Sequence, residues 1–190
     1  MAKSKNKINF LLSFIALAFC VLTIATFFIP TIKSNDDDGS FKYSSMEICF
    51  ISQEAAEEKA AELNKNFDFE SAYKYTKLAS LKADEDTRSP LNLAGWLHFG
   101  AALTSIAGAI LIILAMLGKK VSSIAKLILI IALGLMIGSL ISLISFMNVE
   151  DYIFKIKDVY KVSAGIILGL ISSIFAAVIS FLKIKGKKAV

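Results

Sequence analysis

Four long apolar blocks constrain this chain more than any other feature. They run over 8–29, 93–117, 123–147 and 162–182. Each holds at least 20 residues. At ~1.5 Å of rise per residue, about 20 helical residues cross a hydrocarbon layer of ~30 Å. In hydrocarbon the backbone must bond to itself, so an apolar block of this length is read as a helix. No Asp, Glu or Arg lies within any block, and the only Lys is Lys126, one turn into the third. Its stem can snorkel to the interface. The chain is 56% hydrophobic with a mean hydropathy of +0.65, against about 45–50% apolar residues in a soluble domain. The excess sits in the four blocks, as expected of a polytopic membrane protein.

The charges supply an orientation. Lys3, Lys5, Lys7, Lys119, Lys120, Lys126, Lys183, Lys185, Lys187 and Lys188 flank the blocks on one side, with no carboxylate among them. All 16 carboxylates and the remaining 11 cations fall in 31–92 and 148–161. One side therefore carries +10 and the other −5, which recovers the net +5. Basic flanks mark the cytoplasmic side. The expected fold class is an all-α membrane protein, a four-transmembrane-helix bundle in a plasma (cell) membrane with both termini inside. The cytoplasmic parts are 1–7, the turn 118–122 and the basic tail 183–190. The extracytoplasmic parts are a large segment, 30–92, and a small one, 148–161. The basic pI is a topology signal in this reading, and no nucleic-acid partner is expected. The lipid bilayer is the one partner that composition implies directly.

The first block has a basic flank, and Thr23 and Ala25 could serve a signal peptidase. Its apolar run continues to Pro30, which is long enough to span, so an uncleaved helix is expected. Leu17–Cys20 is similar to a lipobox, but Phe19 stands where that motif needs a small residue. After Pro30 comes Ser34–Gly39 with the triplet Asp36, Asp37 and Asp38. Consecutive aspartates diverge, and Gly39 is at position four rather than six of a calcium loop counted from Asp36. The triplet reads as a turn on the acidic side.

Small residues recur every four positions on three blocks. The stripes are Gly100, Thr104 and Gly108; Gly134, Gly138 and Ser142; and Gly165, Gly169, Ser173 and Ala177. Such stripes allow close backbone approach between membrane helices. They predict packing within the bundle, with a homo-oligomer or a partner helix as the alternative. The absence of intramembrane carboxylates and Arg argues against an ion-coupled transporter. Serines 139, 142, 145, 172, 173 and 180 leave a pore made by several copies as the runner-up. Trp96 and His98 read as an interfacial belt pair. One histidine and two cysteines at different depths make no metal site, and no cofactor is expected. Cys49 reads as a small buried residue, or else as an intermolecular disulfide or modification site.

The 30–92 segment is too long to be a structureless loop. Residues 41–51 alternate in part, with Met46, Ile48 and Phe50 on one face, which predicts a short strand. A helix is expected over 52–65, capped by Ser52, with Ala56, Ala60, Leu63 and Phe67 as its stripe. A second is expected over 68–82, capped by Asp68 or Asn66. On it Phe69, Ala72, Tyr73 and Thr76 share one side, and Tyr75, Leu78 and Leu81 the next. The pair suggests a hairpin lid. Its aromatics Phe67, Phe69, Tyr73 and Tyr75 either pack the lid or contact a partner. Segment 148–161 places Val149, Ile153, Ile156 and Tyr160 at helical spacing, which predicts an extension of a neighbouring span or, failing that, a strand beside 46–51.

This order of four spans, large outer segment first, resembles claudin-like proteins in topology alone. Their tryptophan and cysteine-pair signature is missing, since Trp96 and a lone Cys49 stand here instead. No HExxH, GxSxG, CxxC pair or Walker loop is present, so the expectation is a non-catalytic protein. Its outward lid would bind a protein partner or support an envelope complex, with an oligomeric channel or permease subunit as the alternative.

Overall fold

The computed structural model describes residues 2–34, 41–150 and 156–182, with side chains from residue 9 onward. The Asp36–Asp38 triplet, Ile153 and the basic tail lie outside the described residues, as do the side chains of Lys3, Lys5 and Lys7. In chain order the elements are α1 (Ala2–Thr26), β1 (Pro30–Ser34), β2 (Lys42–Ser44), α2 (Ser45–Phe50), α3 (Gln53–Lys65) and α4 (Phe69–Ala83). Then come α5 (Glu85–Met116), α6 (Ser122–Met147), α7 (Ile156–Val159), β3 (Tyr160–Val162) and α8 (Ala164–Leu182).

Helices α1, α5, α6 and α8 are each long and apolar enough to cross a membrane. This is a mostly helical, multi-pass membrane protein. Helix α5 packs on α1 and α6, and α8 packs on the same two, so the four close into a ring. Large apolar side chains cover the outside of the ring, with Phe14, Leu103, Ile110, Ile130, Ile141 and Ile174 all well exposed. Its inside mixes the small or polar Ala16, Thr23, Ala101, Ser105, Ser139 and Ala176 with Leu129, Met136, Leu143 and Ile166. Lipid tails solvate isoleucine as well as any core does, so close packing of small residues is what holds such helices together.

A three-stranded sheet of order β2-β1-β3 closes one end of the ring. Both pairings are antiparallel, with Ile32 opposite Tyr43 on one side and Val162 on the other. Pro30 opens the central strand, where a missing N–H is tolerated, and the register slips between Pro30 and Ile32. Because β1 follows α1 and β3 precedes α8, the sheet ties the ends of two neighbouring spans. Helices α2, α3 and α4 complete this cap. One apolar core runs from Tyr43, Ile48 and Leu78 in the cap through Leu91 to Met136 and Ile166 in the ring.

Two sequence expectations are corrected here. Only Lys42–Ser44 of the 41–51 strand is extended, and Ser45–Phe50 is helical. Ser44 starts the helix with a full capping box, its hydroxyl accepting from Glu47 N–H while the Glu47 carboxylate accepts from Ser44 N–H. The supposed common face is split, with Ile48 buried and Met46 and Phe50 exposed. Segment 148–161 extends neither span, since α6 stops at Met147 and α8 begins at Ala164. Its last residues join β1 rather than 46–51. The caps Ser52 and Asp68 accept from Ala55 N–H and Ser71 N–H. Helix α5 starts at Glu85, well before its apolar block, because Asp84 caps it and acidic residues suit a helix N-terminus.

Candidate functional site

The small-residue stripes pack against neighbouring elements at every glycine but Gly134. A Cβ on Gly165 would stand 2.6 Å from the Ile29 carbonyl oxygen and 2.7 Å from that of Pro30. These are backbone atoms and cannot easily yield. On Gly169 it would strike the Met136 methyl and lie 2.8 Å from Thr26 Oγ1. Ser173 is buried beside it and donates to the Gly169 carbonyl. Gly100 and Gly108 of α5 receive Leu135 and Leu129 of α6, and Gly138 of α6 receives Leu97 of α5. Ser142 is buried. Gly134 differs from the rest, with no heavy atom within 4 Å of a Cβ there.

The space at Gly169 lets α8 approach the joint between cap and ring. His98 of α5 is the centre of that joint and has no exposed surface. Thr26 Oγ1 donates its one proton to the Thr23 carbonyl at 2.7 Å. It therefore accepts from His98 Nε2, 3.2 Å away. In the neutral ring Nδ1 is then the acceptor, and Ser45 Oγ donates to it at 2.7 Å. Thr31 Oγ1, 2.7 Å from Ser45 Oγ, completes a directed chain from β1 through α2 and α5 to α1. Every partner is neutral, and the chain satisfies each buried hydroxyl it includes. The expected Trp96–His98 belt pair is thus corrected. Two residues along a helix turn the side chain by about 200°, so the two rings face opposite ways. Trp96 is half exposed and packs edgewise on Phe50 and Phe99.

Two lysines hold α4 onto α2. Lys82 is buried, and its ammonium donates to the carbonyls of Ile48 (2.6 Å) and Ile51. These are acceptors at the C-terminal end of α2, where a cation is favoured. Burial lowers the pKa of Lys82 from the usual lysine value. Burial also pushes the Cys49 thiol up to about 11, against the nearby ammonium. Lys74 pairs with Glu47 at 2.5 Å, and the Tyr43 hydroxyl donates to the Lys74 carbonyl. The sequence offers no local signal for Lys82, because its acceptors lie 31 and 34 positions away.

The four aromatics expected to act together are separated. Tyr75 is buried under Lys59, whose Nζ is 4.3 Å from the ring centroid. Tyr73 packs edgewise on Phe41 with Lys77 over its ring. Phe67 and Phe69 stand at the tip of the α3–α4 hairpin, 80% and 62% exposed, with ring centroids 6.2 Å apart. The stripe Ala56, Ala60, Leu63 does not continue to Phe67, because α3 ends at Lys65. The end is a Schellman motif, with Asp68 N–H bonding to the Leu63 carbonyl at 3.0 Å and Phe67 N–H to that of Asn64 at 3.1 Å. Phe67 occupies the left-handed position, φ 60°, where glycine is usual. A bulky residue there is disfavoured by roughly 1–2 kcal/mol, and its ring gains little burial in return. The buried face of α4 is Ala72, Tyr75, Leu78, Ala79 and Lys82.

No protein-family model, no curated protein and no solved structure matches this chain.

Proposed function

We propose that this is a non-catalytic, four-pass protein of the cell membrane whose cap faces outward and binds a protein partner through the tip formed by Phe67 and Phe69. The observation that carries the reading is the tip itself. Two phenylalanines are held in water at the end of a hairpin that is otherwise well packed, one of them at a backbone position that disfavours it. Aromatic side chains of this kind supply binding energy when a partner desolvates them. The outward orientation rests on the cation-only flanks of 1–7, 118–122 and 183–190.

The test is in vivo photocrosslinking from positions 67 and 69. A discrete adduct that is lost in the F67A/F69A double variant, with membrane insertion unchanged, supports the reading. Adducts that form equally from position 58 on the exposed side of α3 overturn it. Orientation has a separate measurement. In a Cys49→Ala background, Glu58→Cys should react with a membrane-impermeant thiol reagent on intact cells, and Ser123→Cys should not. The reverse pattern inverts the topology. The oligomeric-channel reading has less to stand on. Ser139, Ser172, Ser173 and Ser180 all donate to backbone carbonyls of their own bundle.

A further inference from the structure

One end of the ring carries cations and no carboxylate. The start of α1, the end of α5, the start of α6 and the end of α8 meet there around a small cavity walled by Ser13, Ala115, Ser122 and Ser180. Lys119 and Lys120 stand exposed in the turn between α5 and α6, and Lys126 is half-buried, four residues after α6 begins. By sequence, 1–7 adds three lysines and 183–190 adds four. We propose that Lys126, supported by Lys119 and Lys120, binds the phosphate headgroup of an anionic phospholipid in the leaflet at this end of the ring.

The position of Lys126, its unused donors and the charge around it all favour this ligand. Its Nζ sits 4.9 Å from the ring centroid of Phe181 on α8, so one ammonium spans the outside of two neighbouring helices. An ammonium has three N–H donors. The ring attracts the charge through its π face and supplies no lone pair. Among the described residues the Lys126 ammonium has no ion pair and no hydrogen bond. A phosphate oxygen is the acceptor it lacks, and a charge-assisted bond of that kind is strong. The depth fits a lipid. Side chains lean toward the start of their helix, so the Lys126 stem leads back toward Ser122, about 6 Å along the axis. Ile124, Leu127 and Phe181 around it are exposed apolar side chains, which put hydrocarbon, not bulk water, beside the ammonium. The charge selects the headgroup. A zwitterionic headgroup brings its own cation, which ten lysines repel, whereas an anionic one adds only attraction. The proposal holds whichever side of the membrane this end faces.

The experiment uses the full chain in nanodiscs of equal parts phosphatidylglycerol and phosphatidylcholine with matched acyl chains. Lipids retained on release are counted by native mass spectrometry. Phosphatidylglycerol should be retained several-fold over phosphatidylcholine. Lys126→Gln should lower that preference about fivefold, the worth of one lysine at an anionic surface, and K119Q/K120Q should lower it further. Lys126→Arg should keep it, because a guanidinium retains the charge, the ring contact and the phosphate bond. Lys65→Gln, on the exposed surface of the cap, should leave it unchanged. Equal retention of the two lipids by the wild type overturns the proposal, as does a preference that survives the K119Q/K120Q/K126Q triple variant. Loss of the preference in inorganic phosphate, but not in chloride of the same ionic strength, assigns the site to a soluble anion and also overturns it. A second measurement needs no variant. Phosphatidylglycerol with a photoreactive headgroup should label wild-type peptides containing 119–126 several-fold more than those containing 160–166 at the other end of the ring. Equal labelling of the two ends overturns the site.

Discussion

The joint at His98 and the tip at Phe67 are parts of one cap built on opposite principles. At the joint every polar group has a partner, no side chain reaches solvent, and four elements converge on one ring. At the tip two large rings touch mainly each other. The joint fixes where the cap sits, and the tip is what the cap presents. A structural role is therefore expected to show itself as stability, and a recognition role as binding with stability unchanged. Substitutions in the two regions separate these effects.

The largest effect is expected where the ring leaves no space. Gly165→Leu forces a side chain against the carbonyls of Ile29 and Pro30 and should destabilise by about 3 kcal/mol, at the upper end of overpacking. Gly134→Leu, in open space, should stay within ~0.5 kcal/mol. Unfolding in mixed micelles measures both, and similar losses for the pair would contradict the asymmetry of the stripes. Next is His98→Leu, which takes the acceptor from the Ser45 hydroxyl and a donor from Thr26 Oγ1 and should cost about 2–3 kcal/mol. Limited proteolysis within 30–92 should speed up in parallel. Unchanged cleavage would mean that the joint does not hold the cap.

Lys82→Met should cost about 1–2 kcal/mol, because the Ile48 and Ile51 carbonyls lose their donor. It also carries a pH signature. The folded-state pKa of Lys82 lies below its unfolded value. Between the two, the unfolded chain binds more protons, so stability rises with pH through the range below 10.5 and levels off above it. The variant should lack that rise. A slope that survives in Lys82→Met would assign it to another group. The smallest effect on stability is at the tip. Phe67→Gly should gain about 1 kcal/mol by relieving the left-handed backbone, while partner capture falls. A loss of stability there would show that the Phe67 ring packs against something after all.

Local features were legible in the residues. The caps Ser52 and Asp68 are nearest-neighbour devices, readable from a few positions. Segment 45–50 misled because six residues hold too little period to separate a strand from a helix. The Ser44–Glu47 capping box decides it. His98 misled because its neighbour in sequence, Trp96, is on the other side of the helix. Phe67 looked like the end of a buried stripe because the place where a helix stops is less predictable than its face.

From the sequence alone came four membrane spans, a structured segment of 63 residues between the first two, and two helices within it. These follow from block length, hydropathy and local capping, which depend on near neighbours only. Tertiary structure decided the rest. It paired β1 with β3 across some 130 residues of chain, gave His98 and Lys82 their partners, and left Gly134 in the open. The physical reason is that an apolar helix in lipid has no preferred side. Which small residues are buried depends on the helices packed beside it, and that is a property of the assembled ring.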